Sequence, residues 1–341
     1  MMALFSSYKN RLIQRLALII LTVAFTPNFL YGQTVISGEI LNKNTREPVS
    51  YANLGIRNSN VGTISNENGS FSIAIPSGLT NDTLVFSAIG YERKQFPVGN
   101  FRSEKAFTIY LEEKINLLST VIITPGKEKK KVFELGNKAI LGGNLETDTT
   151  YAGRAISLLI ENKGINFQGL LFPAYLEKAR LYILRNNLKS FKFRVRVNEV
   201  DGLTGQPGND LLQKSIVVQS SIKKGWLEFD LSELNLQVTK PFFITFEQII
   251  DLQDRVGIAD GYREYMHKHP KEILTDTIEF EGKKQLRQTI TKKGINLPGT
   301  FIAYSNSAFG LKNYVTFLRE TSFSQWQKMP FIVTATVFLS N

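Results

Sequence analysis

Cysteine is absent from the 341-residue chain, and its absence excludes several kinds of chemistry. The protein forms no disulfide, uses no cysteine nucleophile and binds no metal through thiolates. The cysteine that carries the lipid of a bacterial lipoprotein is missing as well. Histidine is scarce, with only His267 and His269, so any site that needs several imidazoles must draw on one short segment.

Several familiar motifs are also missing. The sequence contains no G-x-S-x-G elbow, no P-loop and no glycine-rich fingerprint leading into a helix. We therefore expect no bound cofactor. After residue 32 no apolar run reaches the roughly 20 residues that a membrane-spanning helix needs.

The net charge of +11 is not concentrated in one place. Basic residues are spread through a linker and the second half of the chain, without the dense patch typical of nucleic-acid binding. We expect no nucleic-acid partner. An ordinary basic, soluble surface explains this distribution.

The first 32 residues have the pattern of a secretory signal peptide. Lys9, Arg11 and Arg15 precede the apolar run Leu16 to Phe25, "LALIILTVAF", whose length fits a signal peptide. Gly32 precedes a plausible cleavage point, and an uncleaved N-terminal anchor is the alternative. The pattern predicts export to the periplasm or to the outer-membrane-associated cell envelope.

Residues 33–113 read as short strands separated by turns. "TISNENGSFSIAIP" (Thr63 to Pro76) combines turn-forming Asn-Glu-Asn-Gly with an alternating strand. We expect Gly62, Gly69 and Gly90 at turns, the first two with backbone angles that suit glycine. A ligand-binding loop at this turn is the alternative.

The order of these residues resembles the carboxypeptidase-regulatory-like (carboxypeptidase D regulatory) domain. The residues that carry the resemblance are Gly38, Pro48, Ala52, Gly62-Thr63, Asn68-Gly69, Phe71 and Ile89-Gly90-Tyr91. The resemblance implies a transthyretin-like, seven-stranded β-sandwich. Ser65-Asn66 departs from the family's usual Thr-Asp.

Residues 114–131 read as one strand, Val121 to Thr124, followed by a charged linker, "KEKKK". The segment resembles the one after the same domain in outer-membrane TonB-dependent transporters of Bacteroidota type. Ser119-Thr120 replaces the acidic position of that pattern. Roughly 210 residues follow, too few for the membrane domain of such a transporter.

In residues 132–341 apolar and polar residues alternate again, and this pattern predicts a larger, jelly-roll-like β-sandwich. In "SFKFRVRVNEV" the apolar side chains point inward, while Lys192, Arg194 and Arg196 form a basic face. That face is expected to be solvated, or to meet phosphates of an acidic envelope polymer. Residues from about 251 to 297 break the pattern and predict a partly helical insertion.

His269 and Glu272 fit H-x-x-E, the first zinc motif of the metallocarboxypeptidases. A catalytic zinc needs three protein ligands, and no histidine follows His269 to provide the third. We expect no metal site, and surface positions for both histidines in a charged loop.

The candidate ligand-binding residues are aromatic and acidic. Trp226 alternates with Leu227 and Phe229, so it should share the outer face with Glu228 and Asp230, where it could stack on a sugar. Packing of Trp226 under the insertion or against the first domain is the alternative. Trp326 is a second candidate with the same ambiguity.

The sequence thus predicts an all-β, two-domain protein without catalytic residues. The expected function is that of an adaptor or binding module acting with envelope proteins or polysaccharide, through sandwich faces or strand addition. A carbohydrate-binding protein using exposed aromatics is one alternative. A hydrolase using unidentified carboxylates, with Glu228 and Asp230 as one conceivable pair, is another.

Overall fold

The structure is a computed structural model of the chain. It describes residues 34–101, 106–114, 131–140, 142–145, 153–161, 172–280, 283–291, 297–306 and 314–341. The predicted signal peptide and the predicted strand Val121 to Thr124 with its charged linker lie outside the described residues. Within them, no helix is both long and apolar enough to cross a membrane.

The first domain is a sandwich of two small sheets. Its strands are β1 (Thr34–Asn42), β2 (Asn53–Ile56), β3 (Gly62–Ile64), β4 (Ser70–Ile75), β5 (Thr83–Ser87), β6 (Lys94–Pro97) and β7 (Phe107–Leu111). One sheet has the order β4-β1-β7 and the other β3-β2-β5-β6. β1 pairs antiparallel with β4 and parallel with β7.

The alternation of apolar and polar residues along the strands explains how the core of this sandwich forms. Phe71, Ile73 and Ile75 on β4 are buried between the sheets, where Phe71 meets Phe86 edge to face at 5.6 Å. The residues between them on β4 are half-buried or exposed. The predicted period-two pattern is therefore the one that builds this core.

The second domain contains the larger sandwich. Its strands are β8 (Val132–Asn137), β9 (Gly142–Leu145), β10 (Ala155–Ile160), β11 (Ala174–Asn186), β12 (Phe191–Val200), β13 (Pro207–Asp210), β14 (Ile216–Ser220), β15 (Gly225–Asp230), β16 (Gln237–Val238), β17 (Phe242–Ile249), β20 (Thr300–Asn306), β21 (Thr316–Arg319), β22 (Gln327–Lys328), β23 (Phe331–Val333) and β24 (Ala335–Ser340). β18 and β19 belong to an insertion described below.

Two sheets enclose the core of this domain. One has the order β13-β12-β17-β10-β21-β22, with β14 also paired to β12. The other has the order β23-β20-β11-β24-β8, with β15 and β16 paired to β11 and β9 to β20. All the described strand pairs of these two sheets are antiparallel. Phe229 and Phe246 meet between them at 5.5 Å.

The insertion after β17 contains a helix and a hairpin. The helix α1 spans Leu252–Lys268, and β18 (Ile273–Phe280) pairs with β19 (Lys283–Ile290). Neither hairpin strand pairs with any other described strand, so the ribbon stands apart from both sandwiches. Short 3₁₀ helices occupy Ser77–Leu79, Val98–Phe101, Ser232–Leu234 and Pro270–Glu272.

The predicted fold class is confirmed. The chain is mostly β, with a seven-stranded sandwich followed by a larger one that carries a partly helical insertion. The insertion also holds two regular strands, which the charged composition of residues 251–297 did not predict. The domain limits 33–113, 114–131 and 132–341 remain predictions.

Candidate functional site

A buried ion cluster joins the two domains around Glu247, a fully buried residue on β17. Glu247 Oε2 accepts hydrogen bonds from Arg194 Nη1 at 3.3 Å and Arg196 Nη1 at 3.1 Å. Arg319 Nη2 lies 3.6 Å from Oε1, which also accepts from Ser322 Oγ at 2.9 Å. Charges this deeply buried persist only when they are paired.

Charge pairing outweighs burial at Glu247. Burial alone would raise the pKa of Glu247, but the guanidinium groups of Arg196, Arg194 and Arg319 lower that pKa from 4.5 to about 2. Burial in turn lowers the pKa of Arg319 to about 10. Glu247 is therefore a carboxylate at every physiological pH.

The first domain completes this cluster. Asn53 on β2 donates from Nδ2 to Glu247 Oε1 at 3.0 Å and accepts from Arg194 Nη1 at 3.4 Å. Arg194 Nη2 donates to the Tyr51 carbonyl. Elsewhere Arg255 on α1 donates to Thr63 Oγ1 at 2.6 Å. These buried and partly buried polar contacts connect the first domain to β12, β17 and α1.

The expectation of a solvated basic face at Lys192, Arg194 and Arg196 is wrong. Arg194 is 1% exposed, Lys192 is buried and Arg196 is half-buried. Alternation on β12 separates the two faces correctly, but the first domain and α1 cover the face that would otherwise meet solvent. All three cations are paired with carboxylates and are not available to a phosphate polymer.

A cleft of about 860 Å³ lies where the first domain, the start of β12 and α1 meet. Its volume falls in the range of small-ligand sites. The turn Asn66, Glu67 and Asn68 forms one wall and α1 forms another. The turn that the sequence predicts in "NENGSF" thus faces this cleft.

The turn is held by its own side chains. Asn66 Oδ1 accepts from Ser70 N at 2.8 Å, and Asn68 Oδ1 accepts from the same N–H at 3.2 Å. Gly69 has a φ of +78°, a conformation that favours glycine. The structure thus forms a turn at this position, and Asn66 and Asn68 also line the cleft.

Gly62 differs from the prediction. It has no positive φ and begins β3 instead of forming a turn, and a Cβ there would lie 3.2 Å from the Leu54 carbonyl oxygen. Close strand pairing, not an unusual backbone angle, is therefore the steric reason for glycine. Gly90 does have a positive φ, +84°, and sits at the contact between the domains.

The floor of the cleft is a paired charge group. Lys192 Nζ lies 2.7 Å from Asp251 Oδ2 and 2.9 Å from Asp254 Oδ2, and 5.5 Å from the centre of the Tyr51 ring. Asp251 also caps α1, accepting from Gln253 N at 2.9 Å and Asp254 N at 3.0 Å. The start of the helix and the start of β12 are thereby tied together.

These groups shift one another's pKa values. Burial would lower the pKa of Lys192, but its two carboxylate partners raise it. Burial would raise the pKa of Asp251, but Lys192 and the helix N–H groups lower it. Burial raises the pKa of Asp254, and the adjacent Asp251 charge adds to that effect. Lys192 thus forms an ion pair with each carboxylate, while the two carboxylates repel each other.

The rest of the lining holds four more charged residues, Glu67, Lys189, Asp260 and Glu264, and several uncharged polar groups. Asn66, Asn68, Gln219 and Gln253 contribute amides and Tyr51 contributes a ring and a hydroxyl. Amides donate and accept hydrogen bonds in fixed planes, and an aromatic ring packs on apolar C–H groups. This combination suits a hydroxyl-rich ligand.

Trp226 and Glu228 lie on the outer face of the second domain, opposite buried Leu227 and Phe229. The Trp226 ring meets Tyr182 edge to face at 5.2 Å, and the Arg180 guanidinium lies 4.7 Å from its centre. Trp226 is half-buried, and both of these neighbours lie on β11 of its own sheet.

The other candidates lie elsewhere. Asp230 accepts from Ser232 N at 3.0 Å and Ser232 Oγ at 2.7 Å, and so closes the turn after β15. Trp326 packs under Arg319, with 4.6 Å from guanidinium carbon to ring centre, beside the buried ion cluster. The two tryptophans therefore belong to different surroundings and do not form one site.

The histidines lie at the end of α1. His267 is in the last turn and His269 follows the helix, stacked on Tyr265 at 4.2 Å. Both are exposed, as predicted, although on a helix end and not in a loop. Among the described residues no three His, Cys, Asp or Glu side chains are grouped so that they could hold a metal ion.

Sequence reasoning missed the cluster residues Glu247 and Arg319 and the cleft residues Tyr51 and Asp251. One signal was present: Glu247 is the only charged residue in "FFITFEQII", a segment that is apolar apart from Thr245 and Gln248. A lone carboxylate in such a strand is buried and needs a cation. A second signal was Asp251 three residues before Asp254, the spacing of a capping box.

Comparison with known proteins identifies one part of the chain. Residues 36–123 match the family model of the CarboxypepD_reg-like domain, so the predicted resemblance is confirmed for that region. No curated protein matches the chain.

One solved structure holds the cysteine protease and lectin-like domains of Cwp84, a surface layer associated protein of Clostridium difficile. It aligns with a TM-score of 0.31 and 11% identity. The match covers 92% of this chain and 59% of that one, so this chain spans less than two thirds of its length. Similarity at this level does not identify a shared function.

Proposed function

From the CarboxypepD_reg-like domain at residues 36–123 and the cleft beside it, we propose that this protein is a non-catalytic adaptor of the cell envelope. The proposal includes export through the N-terminal signal sequence. In it, the interdomain cleft binds a hydroxyl-rich ligand such as a polysaccharide segment. The observation that carries the proposal is the cleft, preformed by buried polar contacts between the domains and lined by amides.

Preformation matters because ordering a site on binding costs free energy. Here the wall residues are positioned before the ligand arrives: Asn66 and Asn68 by the turn, and Gln253 by the capped helix α1. Lys192 balances only one of the two carboxylates of Asp251 and Asp254, so the floor carries a net negative charge. That charge disfavours an anionic ligand and favours a neutral one that forms hydrogen bonds through hydroxyl groups.

Capture from intact cells tests the proposal. The mature protein is tagged, crosslinked and recovered, and the recovered sugars and proteins are identified. We expect polysaccharide that the double variant Asn68→Ala/Gln253→Ala loses. The control variant Asn44→Ala/Asn60→Ala removes two exposed amides outside the cleft and should retain it. Capture that does not differ between the two variants would contradict a ligand in the cleft.

A second candidate is carbohydrate binding on the outer face of the second domain. Trp226, Tyr182 and Phe338 surround Arg180 there, an aromatic surface on a sheet that no described helix covers. Trp226→Ala should then abolish glycan binding while the circular dichroism spectrum stays native. Tyr110→Ala, which removes an exposed aromatic ring from the first domain, is the matched control.

The alternative of a hydrolase makes a different prediction. Glu228 is paired with Lys178 at 3.0 Å and Asp230 closes a turn, so the geometry does not favour them as an acid and base pair. Turnover assays on peptide and glycan panels should be silent. Product formation that survives purification to homogeneity would reject the non-catalytic proposal.

A further inference from the structure

A second cavity, of about 560 Å³, lies on the other side of the domain junction. The first domain supplies the segment 48–51 and the turn Ile89-Gly90-Tyr91, and the second domain supplies the loop Gln213 to Ser215. This cavity, here called the basic pocket, shares only Tyr51 with the lining of the cleft. It is therefore a separate candidate site.

The lining of the basic pocket is positively charged. It contains Arg194, Lys114 and Lys214, against one carboxylate, Glu113. That carboxylate already accepts from Asn42 Nδ2 at 2.7 Å. Lys114 and Lys214 are exposed, and neither has an ion-pair partner among the described residues. The pocket thus has two free cations at its rim.

Arg194 provides an independent observation. It is 1% exposed, and its two terminal nitrogens are engaged with Glu247, Asn53 and the Tyr51 carbonyl. Its third donor, Nε, is buried and finds no acceptor among the described residues. A buried donor without an acceptor is unfavourable, so an acceptor at this position would be favoured.

We propose that the basic pocket binds a small oxyanion-bearing ligand, a carboxylate or a phosphate. Lys114 and Lys214 attract the anion at the rim, and Arg194, which lines the pocket, keeps one guanidinium donor, Nε, without a protein acceptor among the described residues. The volume admits a group about the size of a monosaccharide acid. The pocket exists only while the two domains are joined, since both contribute to its lining.

Calorimetric titration of the mature chain tests this site. The probes are glucuronate and inorganic phosphate, with glucose as the uncharged control. We expect one of the two anions to bind and glucose not to bind. Affinity should fall with added salt because exposed lysines attract the anion.

Charge-reversal variants locate the binding. Lys114→Glu/Lys214→Glu should weaken anion binding by at least about tenfold. Lys240→Glu/Lys271→Glu reverses two exposed lysines outside the basic pocket, changes the net charge equally, and should stay within about twofold of wild type. All four positions are exposed, so both variants should fold; circular dichroism verifies it.

The two probes also separate the two sources of an oxyanion. Binding of glucuronate alone identifies a carboxylate ligand, and binding of phosphate alone identifies a phosphate ligand. The proposal is overturned if neither anion binds at millimolar concentration, or if both double variants weaken binding equally.

Discussion

At the scale of single residues, Glu247 is the centre of the charge network at the domain junction. Three arginines, one asparagine and one serine surround it, and it is completely buried. A buried charge network of this kind adds little net stability over apolar packing, but losing one partner leaves the others uncompensated. The junction is therefore specific and sensitive to substitution.

The substitution Glu247→Gln should be severely destabilising. It leaves Arg194, Arg196 and Arg319 buried without their shared counterion, and we expect a loss of about 3–5 kcal/mol in the free energy of unfolding. Urea denaturation measures it. Glu228→Gln, at an exposed ion pair, is the control and should cost at most about 1 kcal/mol. Equal losses in the two variants would contradict the role of Glu247.

The same residue predicts a pH dependence. The pKa of folded Glu247 is about 2, below its ordinary 4.5, so its contribution is present above about pH 4.5 and is lost as pH falls toward 2. The difference in unfolding free energy between wild type and Glu247→Gln should shrink by about 3 kcal/mol across that range. Denaturation series at several acidic pH values measure it. A difference that stays constant with pH would exclude this linkage.

The surroundings of single residues could be predicted from the sequence only in part. Alternation on β12 separates Phe193 and Val195 from Arg194 and Arg196, and the structure agrees. Alternation does not say whether water or another domain covers the charged side. Burial of that side depends on contacts between residues about 140 positions apart in the sequence, such as Arg194 and Asn53.

At the scale of elements, the start of α1 links the helix to the cleft. The Asp251 side chain accepts hydrogen bonds from two helix N–H groups, and Asp254 Oδ2 accepts one from Asp251 N at 3.1 Å. Asp251 also holds Lys192, so one carboxylate both begins the helix and fixes the floor of the cleft. The position of α1 therefore depends on that residue.

Two substitutions separate these roles. Asp251→Asn keeps a good capping side chain but removes the charge paired with Lys192, whereas Asp251→Ala removes both. We expect Asp251→Ala to be less stable than Asp251→Asn by about 0.5–2 kcal/mol. Chemical denaturation of both variants measures the difference. Indistinguishable variants would show that the cap contributes nothing.

Secondary-structure elements were predicted correctly where neighbouring residues in the sequence determine them. The turn before β4 follows from Asn66 and Gly69, and the β4 strand follows from alternation. The hairpin β18–β19 was missed because charged residues interrupt its apolar positions, as Asp276 does between Leu274 and Ile278. A two-stranded ribbon without a third strand is only marginally stable in water.

At the scale of the whole molecule, the two sandwiches contact each other closely at Gly90. A Cβ built on Gly90 would lie 2.1 Å from the Gln213 carbonyl oxygen of the second domain, and its φ is +84°. The contact brings the turn Ile89-Gly90-Tyr91 against the loop that lines the basic pocket.

The substitution Gly90→Ala should destabilise the joined molecule by about 2 kcal/mol or more, from backbone strain plus the collision with Gln213. Gly78→Ala is the control because it has no positive φ and a Cβ there meets no described atom within 4 Å. Differential scanning calorimetry measures both. If Gly90→Ala unfolds like wild type, the close domain contact is wrong.

The architecture was predictable at this scale, but the site was not. Strand periodicity and the family resemblance predicted two sandwiches with an insertion, and the described strands agree. The cleft and the basic pocket are made by surfaces of both domains, which no pattern within one domain specifies. The predicted candidates Trp226 and Trp326 were chosen within single strands and turns and lie outside both cavities.

The strand order also governs when the second domain can assemble during synthesis. β24 (Ala335–Ser340) lies between β11 and β8, so Val132 to Asn137 find their neighbour only after about 200 further residues have been made. Such distant pairing slows folding and leaves strand edges unprotected meanwhile. A chain emerging from the ribosome, or threaded unfolded across a membrane, would depend on a chaperone to keep β8 and β11 from pairing with other molecules.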